Sequence, residues 1–390
     1  MSALLGRSAP KVGLGAIAFV SAALVGVACT LLNPLDGYSG GAVDAAVPPS
    51  AEAVPSADPN AKPDALAPCT LAVPPDRPAP SQNQTKDSFL VAADTLEVGN
   101  GQDGYDLDGL CTCPGKSACK PLGIAASTSC DFDGGVDNVL GPETQAALAV
   151  LPRDQGASST SGTDFVRAGR QTFFIQIRGY NGTPNDDDVQ VGVFAASDLE
   201  SVSDAGPPTN GGPRLDGKDI WSVDRDSVLG QGGPPFQARI EDLRAYVRDG
   251  LLVAQLDLDL RVGLLRARAR ESRVTAKITR EGSGVRLRDG IISGRIRSGD
   301  LLTSLEGLRS PVPTANAHLC RDDVVYQEAK RRICTALDLA AARADDGKGS
   351  PCGAISLTLK FSALPANAGS LVSVPVERPC GMDWVDDCSR

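Results

Sequence analysis

Leu252, Ala254, Leu256, Leu258, Leu260 and Val262 alternate with Val253, Gln255, Asp257, Asp259 and Arg261. A period of two sends one set of side chains to a core and the other to water, so this stretch predicts a half-buried β-strand. Val274, Ala276 and Ile278 continue the alternation, and Ile355, Leu357, Leu359 and Phe361 repeat it late in the chain. Residues 88–98, 171–178 and 189–195 also read as strands, and the GYNGTPNDDD segment at 179–188 is turn chemistry throughout. A short internal echo joins Val247-Arg-Asp-Gly-Leu-Leu to Leu287-Arg-Asp-Gly-Ile-Ile. Asp249-Gly250 and Asp289-Gly290 each predict a two-residue hairpin turn, because Gly takes positive φ and Asp tolerates it.

Helical signals are fewer. Residues 138–151 carry Ala146, Ala147, Leu148 and Ala149 and end at Pro152. Residues 300–308 predict a helical turn. Residues 322–334 predict a better helix, with Asp at its start and Lys330, Arg331 and Arg332 near its end, matching the helix dipole. The expected fold is mainly β and antiparallel, with sandwich-like sheets and one or two accessory helices at an edge.

The first residues follow a different logic. Arg7 and Lys11 precede an apolar, small-residue run at 12–28, the layout of a secretory signal and short for a membrane-spanning helix. Gly26 and Ala28 suit signal peptidase. Cys29 follows at once, so residues 1–28 resemble a bacterial lipoprotein signal, with Gly26 standing where that box usually carries Leu. The resemblance implies a diacylglycerol on Cys29 and a membrane partner through that lipid. Residues 29–86, rich in Pro and Ala, are expected to be a disordered tether. Two β-rich stretches follow, at 87–205 (rich in Cys and Asp) and 236–390 (with the helix), expected as lobes of one domain. A Gly/Pro-rich linker or loop at 206–235 separates them and holds a candidate strand at 219–223.

The chain has eleven Cys. In an exported chain their default use is disulfides. Eleven is odd; setting aside Cys29 for lipid leaves an even set of Cys69, Cys111, Cys113, Cys119, Cys130, Cys320, Cys334, Cys352, Cys380 and Cys388. The compact group Cys111, Cys113, Cys119 and Cys130 is expected to pair within itself, and Cys69 to reach the C-terminal group at Cys380 or Cys388. The same compact group could bind zinc as four thiolates, but it lacks paired Cys-x2-Cys knuckles and the export signal favours disulfides.

Net charge is −10 and the pI about 4.8, which disfavours nucleic acid as a partner, since that needs a basic footprint. Aromatic residues make up 4% of the chain, with Trp221 and Trp384 the only tryptophans, a thin supply for sugar platforms. The single histidine, His318, reads as a loop residue, and no Gly-x-Ser-x-Gly elbow surrounds any serine.

The acidic runs are the most informative chemistry. Asp106-x-Asp108-Gly109, Asp131-x-Asp133-Gly134-Gly135-x-Asp137 and Asn185-Asp186-Asp187-Asp188 are oxygen ligands spaced by turn residues. Such loops can supply the six to eight oxygens that calcium takes, although none has the full helix-loop-helix pattern, and Asp and Asn also serve simply as turn formers. Calcium is the one candidate cofactor.

The phrases at 104–113 (GYDLDGLCTC), 130–138 (CDFDGGVDN), 179–189 and 245–252 resemble predicted secreted lipoproteins of myxobacteria, over most of residues 88–380. The resemblance implies a Gram-negative cell envelope and an outer-membrane lipoprotein, and brings no activity with it. Twenty-eight Arg against ten Lys fits a high-GC source. Two roles are expected. The first is a non-enzymatic envelope protein for binding, adhesion or scaffolding, with a glycan or another envelope protein as partner. The alternative is a carbohydrate-binding or carbohydrate-cleaving β-sandwich that uses calcium.

Overall fold

The computed structural model describes residues 69–80, 86–112, 117–122, 130–142, 162–202, 212–230, 232–262, 265–281, 284–310, 318–375, 378–381 and 384–389. Cys29, Cys113, the signal, most of the tether and all but the start of the helix expected at 138–151 lie outside these residues.

The strands in chain order are β1 (Asp87–Val98), β2 (Gln171–Tyr180), β3 (Asp186–Val202), β4 (Asp219–Asp224), β5 (Val228–Leu229), β6 (Gln237–Ala238), β7 (Ile240–Arg248), β8 (Leu251–Val262), β9 (Leu265–Glu281), β10 (Gly284–Arg297), β11 (Leu339–Ala340), β12 (Cys352–Pro365) and β13 (Asn367–Val372). Helices are short: α1 (Gly162–Arg167), α2 (Ser298–Ser304) and α3 (Val324–Thr335). Asp323 caps α3, its carboxylate accepting from the amides of Val325 and Tyr326.

The fold is mainly β and antiparallel, as the alternation predicts, but it is not a sandwich. Strands run in the order β3-β2-β1-β12-β10-β9-β8-β7, and β7 then pairs back with β3, closing an eight-stranded barrel. The closing strand is β3, whose seventeen residues pair with β2 along one edge and with two strands in turn along the other. Its first half (186–193) pairs with β7, and its second half (196–202) leaves the barrel and pairs with β4, to which β13 adds in parallel. The stretches 87–205 and 236–390 therefore share one sheet, with β1 against β12 and β3 against β7.

The period-two pattern fills the lumen. Val91, Ile175, Ile177, Val191, Leu252, Ala254, Leu256, Val274, Ile292, Leu359 and Phe361 belong to one buried cluster. Charged side chains occupy much of the outer wall, where Asp259 pairs with Arg266, Asp257 with Arg268, Lys277 with Asp289 and Arg286 with Glu281. This is the inverse of a membrane-spanning barrel, whose outer band is apolar. No helix among the described residues is long and apolar enough to cross a membrane.

Two patches of the outer wall are covered. Phe174 and Phe194 face outward and pack, with ring centroids 5.1 Å apart, into a second core with Trp221, Val223, Phe236 and Ala238 from β4 and the small β5–β6 sheet. The other patch, on β9, β10 and β12, lies under a cap made of residues 99–112, 117–122 and 130–142. A third small core joins α3 to the C-terminal segment, where Tyr326 meets Trp384 edge-on and donates to Asp386.

Disulfide pairing departs from expectation. Cys69 bonds to Cys111 and Cys119 to Cys352, while Cys320 pairs with Cys380 and Cys334 with Cys388. Cys69 therefore stays within the first half, and it is Cys119 that reaches the second. Cys130 is disulfide-bonded as well. Cap and barrel wall meet face to face, so proximity in space overrides proximity in sequence. These bridges form in an oxidising, extracytoplasmic compartment. The end of the expected tether also proves ordered. Residues 69–80 form a strap whose Ala72 exchanges backbone bonds with Gly134 and Asp106, and whose Arg77 lies 4.8 Å over the Tyr246 ring of β7.

The two Asp-Gly echoes separate. Asp249-Gly250 makes the expected hairpin between β7 and β8, with φ of 51° and 79°. Asp289-Gly290 does not turn the chain. It forms a β-bulge inside β10, two residues opposite Ala276 of β9, with Asp289 at φ 50°. A Cβ on Gly290 would lie 2.5 Å from the Phe361 ring, so the aromatic side chain occupies the glycine's open face.

Candidate functional site

The cap is laid on the polar face of three strands. Tyr105 takes Ser293 Oγ at its amide (3.3 Å) and shares a hydroxyl bond with Thr275 (2.8 Å). Asn138, fully buried, accepts from the amide of Thr358 (3.0 Å), and Val139 donates to Ser356 Oγ (2.8 Å). Arg295 of β10 is 1% exposed and acts as the anchor. Its guanidinium pairs with Asp346 (2.8 Å) and Glu271 (3.1 Å) and donates to the carbonyls of Ala340 and of Leu107 in the cap.

Inside the cap the acidic runs converge in part. Carboxylate oxygens of Asp106, Asp108 and Asp137 lie within 4.8 Å of one another. Local turns hold them there. Asp106 Oδ1 accepts from Gly109 N, and Asp108 Oδ1 from Leu110 N, both at 2.6 Å. Asp137 Oδ2 accepts from Leu107 N at 2.6 Å, joining the second acidic run to the first. Asp106 and Asp137 are 1% and 2% exposed. Oδ2 of Asp106 and Oδ2 of Asp108 have no hydrogen-bond donor among the described residues.

The electrostatics follow from burial. Desolvation, with the charges of Asp131 and Asp106 adding to it, pushes Asp108 up to about 7. Asp137 is raised well above the ordinary carboxylate range by burial and then by Asp338, Asp108 and Asp131. Asp131 is raised by burial, against the pull of its bonds from Thr112. Two carboxylates about 5 Å apart repel by roughly 3 kcal/mol at an effective dielectric of about 20. Each carboxylate accepts one backbone amide, a bond to a charged group that returns about 1.5–3 kcal/mol, so a proton or a cation would relieve the repulsion that remains among the three. Arg273 donates to the backbone carbonyl of Asp106, not to its carboxylate. All the donors are hard oxygens, the set that suits calcium or magnesium.

Not every expected ligand joins. Asp133 is exposed and outside the cluster. The run at 185–188 is spent on a turn that closes the other end of the barrel. Asp186 accepts from the amides of Asn181 and Asp188, Asn185 Oδ1 accepts from Asp249 N, and Asp188 pairs with Lys86 on the surface. Asp187 contributes its backbone carbonyl to the Arg77 contact. Cys111 and Cys119 are oxidised in separate bridges, which uses the sulfurs a four-thiolate zinc site would need. His318 Nδ1 lies 3.0 Å from the Glu306 carbonyl, a loop contact.

Asp338 went unread in the sequence. It sits between Leu337 and Leu339, is bonded by Ser356, and is pushed up to about 7 by burial. Its one signal is a carboxylate interrupting an apolar run.

A second feature lies at the end of the barrel where β8 turns to β9. A cavity of about 340 Å³ enters the lumen there, walled by every barrel strand except β12. Phe173, Val193 and Ile240 line it and stay partly exposed, and Arg239 and Asp226 stand among its polar rim residues.

No family model, curated protein or solved structure matches this chain.

Proposed function

We propose that the protein is a lipid-anchored, disulfide-stabilised cell-envelope protein with a non-enzymatic role, and that the role is to bind a small apolar or amphipathic molecule in the open end of its barrel. The cavity carries this reading. Phe173, Val193 and Ile240 remain part-hydrated inside a hollow of about 340 Å³, which lies at the small end of ligand sites. Leaving such a side chain half-buried forgoes on the order of 1 kcal/mol, a cost that a pure scaffold has no reason to keep. Exposed Arg239, whose guanidinium makes a long 3.4 Å bond to the Val228 carbonyl, stands at the rim where an acidic head group would lie. Lipidation at Cys29, an outer-membrane location and kinship with the myxobacterial lipoproteins rest on the sequence motifs and agree with the oxidised cysteines.

The carbohydrate alternative has less support. Trp221 is buried in the second core and Trp384 stands against Tyr326, so neither forms an open platform. Titration of the exported chain with 1-anilinonaphthalene-8-sulfonate should give a saturable, single-site fluorescence rise that decanoate displaces. Val193→Phe, which fills the hollow, should weaken binding by about tenfold, or roughly 1.4 kcal/mol, with little change in Tm. No saturation, or unchanged binding by Val193→Phe, would remove the lumen as a site. Glycan-array hits in place of dye binding would favour the carbohydrate reading. Palmitate labelling, lost in Cys29→Ala, tests the anchor.

A further inference from the structure

We infer that Asp106, Asp108 and Asp137 hold a calcium ion that ties the two acidic turns of the cap together on the barrel wall. Three observations combine. The three carboxylates place oxygens within 4.8 Å of one another. Asp106 is 99% removed from water, yet its Oδ2 has no donor among the described residues, and Oδ2 of Asp108 beside it is in the same condition. The two guanidinium groups that reach this turn, on Arg273 and Arg295, donate to the backbone carbonyls of Asp106 and Leu107. A desolvated carboxylate group with unclaimed oxygens is the condition a cation resolves.

The donor set is all oxygen, and the ligands come from loops whose Gly109, Gly134 and Gly135 have positive φ. Loops of this kind accept the large, irregular shell of calcium more readily than the strict octahedron of magnesium. Asp106 and Asp108 come from one turn and Asp137 from another, so the ion acts as a cross-link. Thirty residues lie between Asp106 and Asp137. The ion would stiffen the cap from within, alongside Cys69–Cys111, which joins it to the strap, and Cys119–Cys352, which fastens it to β12. This site is independent of what the lumen binds.

The test uses the full exported chain with its disulfides intact, stripped with EGTA. Calorimetric titration with calcium chloride should show one ion per chain, with a Kd between about 10 µM and 1 mM, from the weakest sensor sites to extracellular ones. Terbium luminescence sensitised by Tyr105 should report the same site, and magnesium should compete at least about tenfold less well. At calcium a hundredfold above Kd, the folding equilibrium should shift about a hundredfold toward the native state, read as a rise in Tm. Asp106→Asn should abolish binding and yet melt, in EGTA, at or above wild type, because it removes a repelled charge. A purely structural Asp106 would give a lower Tm. Exposed Asp133→Asn should bind as wild type does. If Asp106→Asn does not fold, Asp108→Asn at the open edge of the cluster carries the same expectation. No heat and no terbium signal up to on the order of 10 mM, or wild-type binding by both cluster variants, would overturn the site.

Discussion

From Ala354 to Leu359 both faces of β12 are buried, but by different chemistry. Inward, Leu357, Leu359, Phe361 and Ala363 pack against the other barrel strands. Outward, Ser356 and Thr358 are covered by the cap and take part in hydrogen bonds with Val139, Asn138 and Ser293. The lumen face depends on area and fit, which are non-directional, so a change of shape is absorbed by neighbours. The capped face depends on matched donors and acceptors in a poorly hydrated space, where one lost partner leaves another stranded. The barrel should therefore fail gradually and the cap abruptly.

The sharpest way to break this contrast is at Arg295. Arg295→Met leaves Asp346 buried without its partner and should cost about 3–5 kcal/mol. Leu357→Ala, on the opposite side of the same wall, should cost about 2–5 kcal/mol. Hydrogen exchange separates the two. The Arg295 variant should first expose amides near Leu107 and Ala340, whereas the Leu357 variant should lose protection across the whole barrel. Identical exchange patterns would mean that the two faces do not differ as described.

The next effect is at the bridge between cap and wall. Removing Cys119–Cys352 as a double alanine variant should cost about 2–4 kcal/mol, measured by urea unfolding under non-reducing conditions. Limited proteolysis should then cut the cap while the barrel strands survive. Cleavage beginning in β8 or β9 would count against a separable cap.

The most gradual effect is the dependence on pH. Asp108 and Asp338 sit at about 7 in the fold, against 3.8 for an ordinary aspartate, with Asp106, Asp131 and Asp137 raising the local negative charge and Arg273 and Arg343 near the same face. Between these values the folded chain binds protons that the unfolded chain has released. The stabilisation is complete below about 4 and is lost as pH rises through about 7. Calcium-free protein should lose on the order of 1 kcal/mol per pH unit as it nears neutrality, read from Tm between pH 5 and 8. Saturating calcium should flatten that slope, and Leu357→Ala should leave it unchanged.

How much of this was legible depends on range. Strand faces at Leu252–Leu260 and Ile355–Phe361 follow from alternation, because a half-buried strand writes its period locally. Closure into a barrel does not, because it rests on one long strand, β3, meeting β7 about fifty residues away. The paired Arg-Asp-Gly phrases show the limit most clearly. Their local preferences are alike, and the difference lies in Phe361, which packs over Gly290 and keeps that stretch inside β10. Asp106, Asp108 and Asp137 were visible as turn-rich acids, but nothing local distinguished them from Asp133 or from 185–188. Only the turn bonds and the wall beneath the cap decide which carboxylates are turned inward.

The strap at 69–80 has a mechanical consequence. A pull on the chain ahead of Cys69 does not enter the fold at a barrel strand. It enters at Cys69, crosses to Cys111 through a covalent bond and is received by the cap. From there it passes through Cys119–Cys352 to β12, between β1 and β10 in the barrel. Tension applied there would thus load two covalent links and the interior of the sheet before it could peel a strand from its neighbour.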